Sequence, residues 1–294
     1  MVKKNILMVV NPISGDVDKA EFIQEAKFFS DALHLRFFLY ETTGKNDEEE
    51  IRNRCALHQP ERVLVAGGDG TIKMVAEALI DFDIIIGILP AGSANGLSVD
   101  LELPSNLMDN LKIAFNNDAM EVDMIQINGK KSLHLSDLGL NAELVKNYES
   151  GSTRGKLGYA LQTYSTLTEM KEPFSAKIFA NNKEISVTAR IIIIANSQKY
   201  GTGVTVNPNG KMDDGKFEIV IIKNLDLFVF GQIIIGNMPL DSEDVLVIST
   251  DKATISTEEP IPFQIDGEYI GEEQLLEIEI LTKQLKIAVP INLL

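Results

Sequence analysis

The stretch Val63-Leu64-Val65-Ala66-Gly67-Gly68-Asp69-Gly70-Thr71 constrains the fold of this chain more than any other. An unbroken apolar run ends in a loop nearly devoid of side chains, and helical spacing resumes at Thr71. The pattern predicts a buried strand, a tight loop and a helix whose N-cap lies near Thr71. Such a loop lets a polyanion approach the main chain, and a helix N-terminus adds N–H groups and partial positive charge. Asp69 stands out, because a carboxylate repels phosphate. It suits a general base, or a holder of Mg2+ against phosphate oxygens. A plain strand-to-helix turn with a glycine cap is the simpler alternative.

The flanking sequence repeats this arrangement. Asn5–Val10 reads as a buried parallel-type strand running into Asn11-Pro12-Ile13-Ser14-Gly15. Phe22, Ile23, Ala26, Phe29 and Leu33 fall at helical spacing within 18–34. Residues 35–40 form the next strand, followed by Glu41-Thr42-Thr43-Gly44. Asn46 and the acids at 47–50 open another helix, where negative charge is favoured. After the strand at 63–66 and a helix over 71–81, a fourth strand at 84–89 ends in Pro90-Ala91-Gly92-Ser93-Ala94-Asn95-Gly96. Alternation of strand and helix predicts a parallel, doubly wound sheet. The four polar loops at 11–15, 41–44, 67–71 and 90–96 fall at the carboxyl ends of its strands, where such sheets bind ligands.

A helix over 105–117, with Leu107, Leu111, Ala114 and Phe115 inward, closes this half. From Met120 the texture changes to short apolar or alternating runs at 121–127, 131–138, 174–180, 185–195, 216–222, 244–249, 252–257 and 275–282. Turn pairs such as Asn128-Gly129, Asn181-Asn182 and Asp214-Gly215 separate them, as in an antiparallel sandwich or barrel. A helix at about 154–170 interrupts the series. The expected fold is therefore α/β plus all-β, with domains at 1–120 and 121–284.

Charge and cysteine content bound the function. The 294 residues carry a net charge of −16, which argues against a general nucleic-acid binder and against a strongly basic membrane-surface protein. A local patch can still touch a membrane. Cys55, the only cysteine, allows no intrachain disulfide and fits a reducing compartment. It shares an inner helix face with Ile51 and reads as core. His34, His58 and His134 have no metal-like spacing. Residues 1–6 run straight into a strand without an apolar leader, and the stretches at 225–235 and 190–195 are too short to span a bilayer. The expectation is a cytoplasmic protein with no transmembrane segment, its assembly as a homodimer left open.

Five motifs in order carry a family resemblance: Asn11-Pro12-Ile13-Ser14-Gly15, Gly67-Gly68-Asp69-Gly70-Thr71, Leu89-Pro90-Ala91-Gly92-Ser93-Ala94-Asn95, Lys211-Met212-Asp213-Asp214-Gly215-Lys216 and Ile265-Asp266-Gly267-Glu268. Together the chain resembles the diacylglycerol kinase catalytic-domain family. That family includes bacterial lipid kinases and, more distantly, sphingosine kinases, and shares its nucleotide domain with NAD kinases. The resemblance implies an N-terminal NAD-kinase-like nucleotide domain, a C-terminal antiparallel β-sandwich and a catalytic cleft between them. It also implies that 285–294 returns to the first domain. The implied reaction moves the γ-phosphoryl of ATP to a lipid hydroxyl. It rests on positioning, charge neutralisation and a carboxylate near the attacking oxygen.

By the same resemblance, Asn11, Pro12, Ser14, Gly15, Thr42, Gly67, Gly68, Asp69, Gly70, Thr71, Lys73, Ser93 and Asn95 line the ATP site. Ser93 stands where many members have threonine, and either hydroxyl donates to a phosphate oxygen. Glu268 matches the proposed proton acceptor, with Asp69 as the second candidate base or a Mg2+ bridge. Asp214 and the backbone carbonyls of Lys211 and Lys216 supply oxygen ligands to Mg2+. A Walker loop is absent, so the glycine loop does the cradling. One position departs: Asn95-Gly96 stands where many members have Asn-Asp, and Asp100 is the acid one helical turn on. Lys146, Arg154 and Lys156 form a basic cluster that suits a membrane face or a solvated loop. Two other readings compete. An NAD kinase shares the Gly-Gly-Asp-Gly loop, yet no Asn-Glu pair follows the fourth strand here. A non-catalytic nucleotide-binding protein would keep the fold alone.

Overall fold

The computed structural model describes residues 4–15, 17–93, 95–139, 142, 172–199, 204–224, 238–240 and 242–293. The expected helix at 154–170, the apolar stretch at 225–235 and the basic residues Lys146, Arg154 and Lys156 lie outside them. The chain divides into two compact units, Met1–Val122 with Lys283–Leu294, and Asp123–Thr282. The first elements are β1 (Asn5–Val10), α1 (Lys19–Ala32), β2 (Arg36–Glu41), α2 (Asp47–His58), β3 (Arg62–Gly67), α3 (Asp69–Leu79), β4 (Ile85–Pro90), α4 (Gly96–Asp100) and α5 (Leu107–Asn116). Strands follow: β5 (Ala119–Ile127), β6 (Lys130–Ser132), β7 (Leu135–Gly139), β8 (Phe174–Ala180), β9 (Lys183–Ala189) and β10 (Ile191–Ala195). The series ends with β11 (Phe217–Ile222), β12 (Val245–Thr250), β13 (Lys252–Ile265) and β14 (Glu268–Ala288).

In the first unit β2, β1, β3 and β4 lie side by side in that order, all parallel. The end of β14 joins the edge of β4, Lys286 opposite Ile85. Strands buried on both faces need continuous apolar sequence, which β1 and β3 supply. Ile6, Met8 and Val10 pack with Phe22 and Ala26 of α1 and with Leu111, Ala114 and Phe115 of α5. The alternate residues Leu7 and Val9 are fully buried too. The strand order reverses between β1 and β3, which creates the crevice at which sheets of this type bind ligands.

Helix α3 begins at Asp69, two residues before its expected start. The Gly68 carbonyl accepts from the amides of Thr71 and Ile72 (3.0 Å each), so Gly68 is the N-cap and Thr71 the third helical residue. Asp69 thus occupies the first turn, where the helix dipole favours a carboxylate.

The second unit is antiparallel. β12, β11, β10, β7 and β13 are neighbours in that order, and β8 pairs with β9 and β13. Ile192 and Ile194 enter one core with Ile219 and Ile221, whereas Ile191 and Ile193 enter another with Val220 and Ile222. The central strands are therefore apolar on both faces. The run expected at 185–195 is two strands broken at Arg190, whose amide donates to Ile222 O (2.9 Å). The runs at 252–257 and 275–282 are parts of the longer β13 and β14. β13 leaves β8 after Thr257 and pairs with β7 from Phe263, its register against β14 shifting between Ser256 and Ile261. Pro260 and Pro262 fall in or beside this irregularity, where a missing N–H costs least. Among the described residues no helix is long and apolar enough to cross a membrane.

Candidate active site

The strand-end loops of the first unit are joined by hydrogen bonds. Asn11 N–H donates to Ala66 O (3.0 Å), and Ala91 N–H donates to Gly67 O (2.9 Å). Asn11 Nδ2 donates to Thr71 Oγ1 (3.0 Å), tying the turn after β1 to the first turn of α3. A Cβ on Gly67 would lie 2.5 Å from Thr71 Cβ, so only glycine lets the loop fold this tightly onto the helix. Ser14 Oγ donates to Ala91 O (3.0 Å). Gly15 has φ +59°, and a Cβ there would sit 2.7 Å from Ala91 O. Lys19, almost wholly buried, donates to Ser14 O (2.5 Å), Val17 O (2.8 Å) and Ala91 O (3.0 Å). Burial pushes the Lys19 pKa down, against the opposing charge of Asp18.

Asp69 faces the same loop cluster. Its carboxylate accepts from the amides of Gly96 (2.8 Å) and Leu97 (3.2 Å). Gly96, the position that departs from the family pattern, thus meets Asp69 through its main-chain amide, a donor that does not depend on the side chain at 96. Asn95 closes its loop by accepting from Gly92 N (3.0 Å) and donating to Gly92 O (3.0 Å). Ser93, Pro12 and Gly70 are exposed, and Gly68 is half-buried.

Thr42 follows β2, and its amide donates to Val10 O (2.8 Å). The loop beside it is wrapped around Asp47. That buried carboxylate accepts from Thr43 N (2.8 Å), Gly44 N (2.7 Å) and Tyr40 Oη (2.6 Å). Burial raises the Asp47 pKa, but the Thr43 amide, the Tyr40 hydroxyl and the Gly44 amide outweigh it and hold the carboxyl below its usual range. Burial, followed by the bond to Asp47, pushes Tyr40 up to about 12. A depressed carboxyl pKa stabilises the fold above the unfolded value of 3.8 and is lost as pH falls through the folded one. Asp47→Asn is therefore expected to unfold more readily than wild type at neutral pH, with the gap closing below about pH 4 in denaturant titrations. A gap independent of pH would contradict this role.

In the second unit, Ile265 pairs with Glu268 across a two-residue turn. Asp266 (φ +50°) and Gly267 (φ +86°) both take left-handed backbone, as a tight hairpin requires. Glu268 is exposed on the first position of β14. Two braces fix its hairpin. The Asp266 carboxylate accepts from Ser132 Oγ (2.9 Å), Leu133 N (3.0 Å) and His134 N (2.9 Å). Gln264 accepts from Gly267 N (2.6 Å) and donates to the buried Asp137 carboxylate (2.5 Å). Asp266→Ala leaves three donors without their acceptor, and is expected to cost about 2–4 kcal/mol in denaturant unfolding. A loss under about 0.5 kcal/mol would show the brace to be dispensable.

Lys211, Asp214 and Lys216 share one turn before β11, all three exposed. Asp214 Oδ1 accepts from Lys216 N (3.0 Å). Asp123, buried in β5, clamps the turn by accepting from Gly215 N (2.7 Å) and donating its own amide to Met212 O (2.7 Å). Among the described residues no group of three or more His, Cys, Asp or Glu could hold a metal. The oxygens that the resemblance implies as ligands here, the Asp214 carboxylate and the carbonyls of Lys211 and Lys216, are hard donors of the kind Mg2+ takes. Cys55 is buried, and burial pushes its thiol up to about 12.

Lys19, Asp47, Asp123 and Asp266 are absent from the residues singled out for chemistry in the sequence. Three of them had a readable mark. Asp123 interrupts an apolar strand, and Asp266 precedes a glycine at a hairpin tip. Lys19 falls on the inner face of a helix with Phe22 and Ala26.

Residues 5–127 match the model of the diacylglycerol kinase catalytic domain, and 137–289 match that of the YegS C-terminal NAD kinase β-sandwich-like domain. A diacylglycerol kinase of Bacillus subtilis is 25% identical over 281 residues, covering 91% of this chain and 91% of the relative. A probable lipid kinase YegS of Escherichia fergusonii is 25% identical over 293 residues, covering 97% and 95%. The crystal structure of a putative diacylglycerol kinase from Bacillus anthracis superposes with a TM-score of 0.80 at 22% identity, over 100% of both chains, a likeness of fold. With matches to both halves in register with the observed parallel and antiparallel sheets, the chain belongs to the diacylglycerol kinase catalytic-domain family of phosphotransferases, in the branch that carries the YegS-type C-terminal domain.

Proposed function

We propose that this chain transfers the γ-phosphoryl group of ATP to the hydroxyl of a lipid, diacylglycerol or a related acceptor. The observation that carries the reading is the hydrogen-bonded loop cluster at the strand ends of the parallel sheet. Asn11, Ser14, Gly67, Thr71, Ala91 and Asp69 are linked around the N-terminus of an eleven-residue helix. Exposed main chain beside a helix N-terminus is the arrangement that binds phosphate without a Walker lysine. Pro12, Gly15, Thr42, Gly68, Gly70, Lys73, Ser93 and Asn95 complete the ATP contacts in this reading.

In the reaction the acceptor oxygen bonds to the γ-phosphorus, the bond to the β-phosphate bridging oxygen breaks, and ADP leaves. Glu268 takes the acceptor proton, and Asp69, accepting from the Gly96 and Leu97 amides, ties that segment to the glycine loop and so steadies the loop for the phosphates. Asp214, with the carbonyls of Lys211 and Lys216, would hold Mg2+, which supplies positive charge against oxygen ligands when bound. The acceptor's acyl chains bring the enzyme to a membrane surface from the cytoplasm.

The test is incubation with labelled ATP, Mg2+ and separate micelles of diacylglycerol, phosphatidylglycerol, sphingoid base and ceramide. Label is expected in at least one lipid. No labelled lipid across the panel sinks the proposal, and conversion of NAD to NADP would replace it.

A further inference from the structure

We infer that Lys19 is a positioning residue that sets the polarity of the phosphate-binding loop after β1, turning its carbonyls inward so that the Gly15 amide faces the anion. This rests on the ATP reading above. Lysine has three donors, and at Lys19 all three are taken by main-chain carbonyls, Ser14 and Val17 on one loop and Ala91 on the other. The ammonium therefore has no N–H left for a ligand. Its effect runs through the main chain.

The first consequence follows from peptide geometry. N–H and C=O of one peptide point in opposite directions, so the Ser14 carbonyl aimed at Lys19 sends the Gly15 amide the other way. Gly15 stands in the left-handed region at φ +59°, a backbone form that gathers N–H groups into an anion-binding concavity. Meanwhile, carbonyls that would repel a phosphate are neutralised by a buried cation. Ala91 O receives both Lys19 Nζ and Ser14 Oγ, so the loops after β1 and β4 are locked to one oxygen. Loss of the charge takes a donor from three carbonyls at once, Ala91 O keeping only the Ser14 hydroxyl, and lets both loops relax. Arginine keeps the charge and five donors, so it should restore much of the order.

Titration calorimetry of the whole protein with ATP, and separately with adenosine, distinguishes this role from a general structural one. Lys19→Met is expected to weaken ATP on the order of tenfold or more, as for loss of a charge-assisted hub, while adenosine changes less than about twofold. Lys19→Arg is expected to recover most of the ATP affinity. Parallel losses for ATP and adenosine, or no loss for either, overturn the inference. If wild type binds no ATP, the kinase reading fails instead. Should Lys19→Met not fold, hydrogen exchange of wild type decides. Bound ATP is expected to slow the Gly15 amide, and unchanged exchange over 14–18 with ATP bound overturns the inference.

Discussion

Glu268→Gln is expected to lower lipid phosphorylation by at least about 10²-fold, the usual loss on removing a catalytic acid–base group. The substitution keeps size and hydrogen-bonding shape and removes the ability to hold a proton. Glu268 is exposed, and its hairpin is braced by Asp266 and Gln264. Folding should therefore be little affected, with the melting temperature moving by no more than about 2 °C. The comparison with Asp266→Ala separates chemistry from support, since that variant should lose stability as well as rate. Wild-type turnover in Glu268→Gln, with the fold intact, would remove Glu268 from the mechanism.

Asp69→Asn is expected to reduce turnover by a similar factor, about 10²-fold, for a different reason. Both Asp69 oxygens accept from main-chain amides, at Gly96 and Leu97. In asparagine one of those acceptors becomes an NH2 group facing another N–H. The 96–97 segment then loses one of its two anchors on the glycine loop, and a stability loss of about 1–3 kcal/mol should accompany the rate loss. Glu268→Gln should show the rate loss alone. The pair of measurements thus distinguishes a proton acceptor from a carboxylate that organises the phosphate loops. Full activity in Asp69→Asn would contradict the second role, and an unchanged melting temperature would point back to the first.

The parallel half was legible because its information is dense and local. Four apolar runs at 5–10, 35–40, 63–66 and 84–89 each end in a polar loop, and the order of turns fits only a βα alternation. The antiparallel half was readable in kind but not in extent. The acids Glu258, Glu259, Glu272 and Glu273 and the prolines Pro260 and Pro262 hide the alternation of β13 and β14, because both strands continue through a register shift. The break at Arg190 was hidden for the opposite reason, since apolar sequence flanks it and only strand pairing reveals two partners.

Glycine motifs announce a phosphate loop, but the groups that hold such a loop do not announce themselves. The inner-face position of Lys19 beside Phe22 and Ala26 marks it for burial but gives no sign of the three carbonyls it holds. Asp47 reads as one of four acids at a helix start, and only folding selects it for burial. Charged residues carry little positional information in one dimension. Their partners lie as far as 203 residues away, as for Lys286 and Asp83.

The pairing of Lys286 and Ile287 with Ile85 and Ile86 bears on how the protein is made. Synthesis runs from the N-terminus, so the first unit is nearly all translated long before the strand that completes its sheet. Until then the outer edge of β4 offers unpaired backbone groups beside an apolar strand, a template for mispairing. The first unit therefore completes its sheet only after the end of β14 has been made. Nascent chains halted shortly after residue 122 should need a chaperone to stay monodisperse, whereas chains released past residue 289 should not.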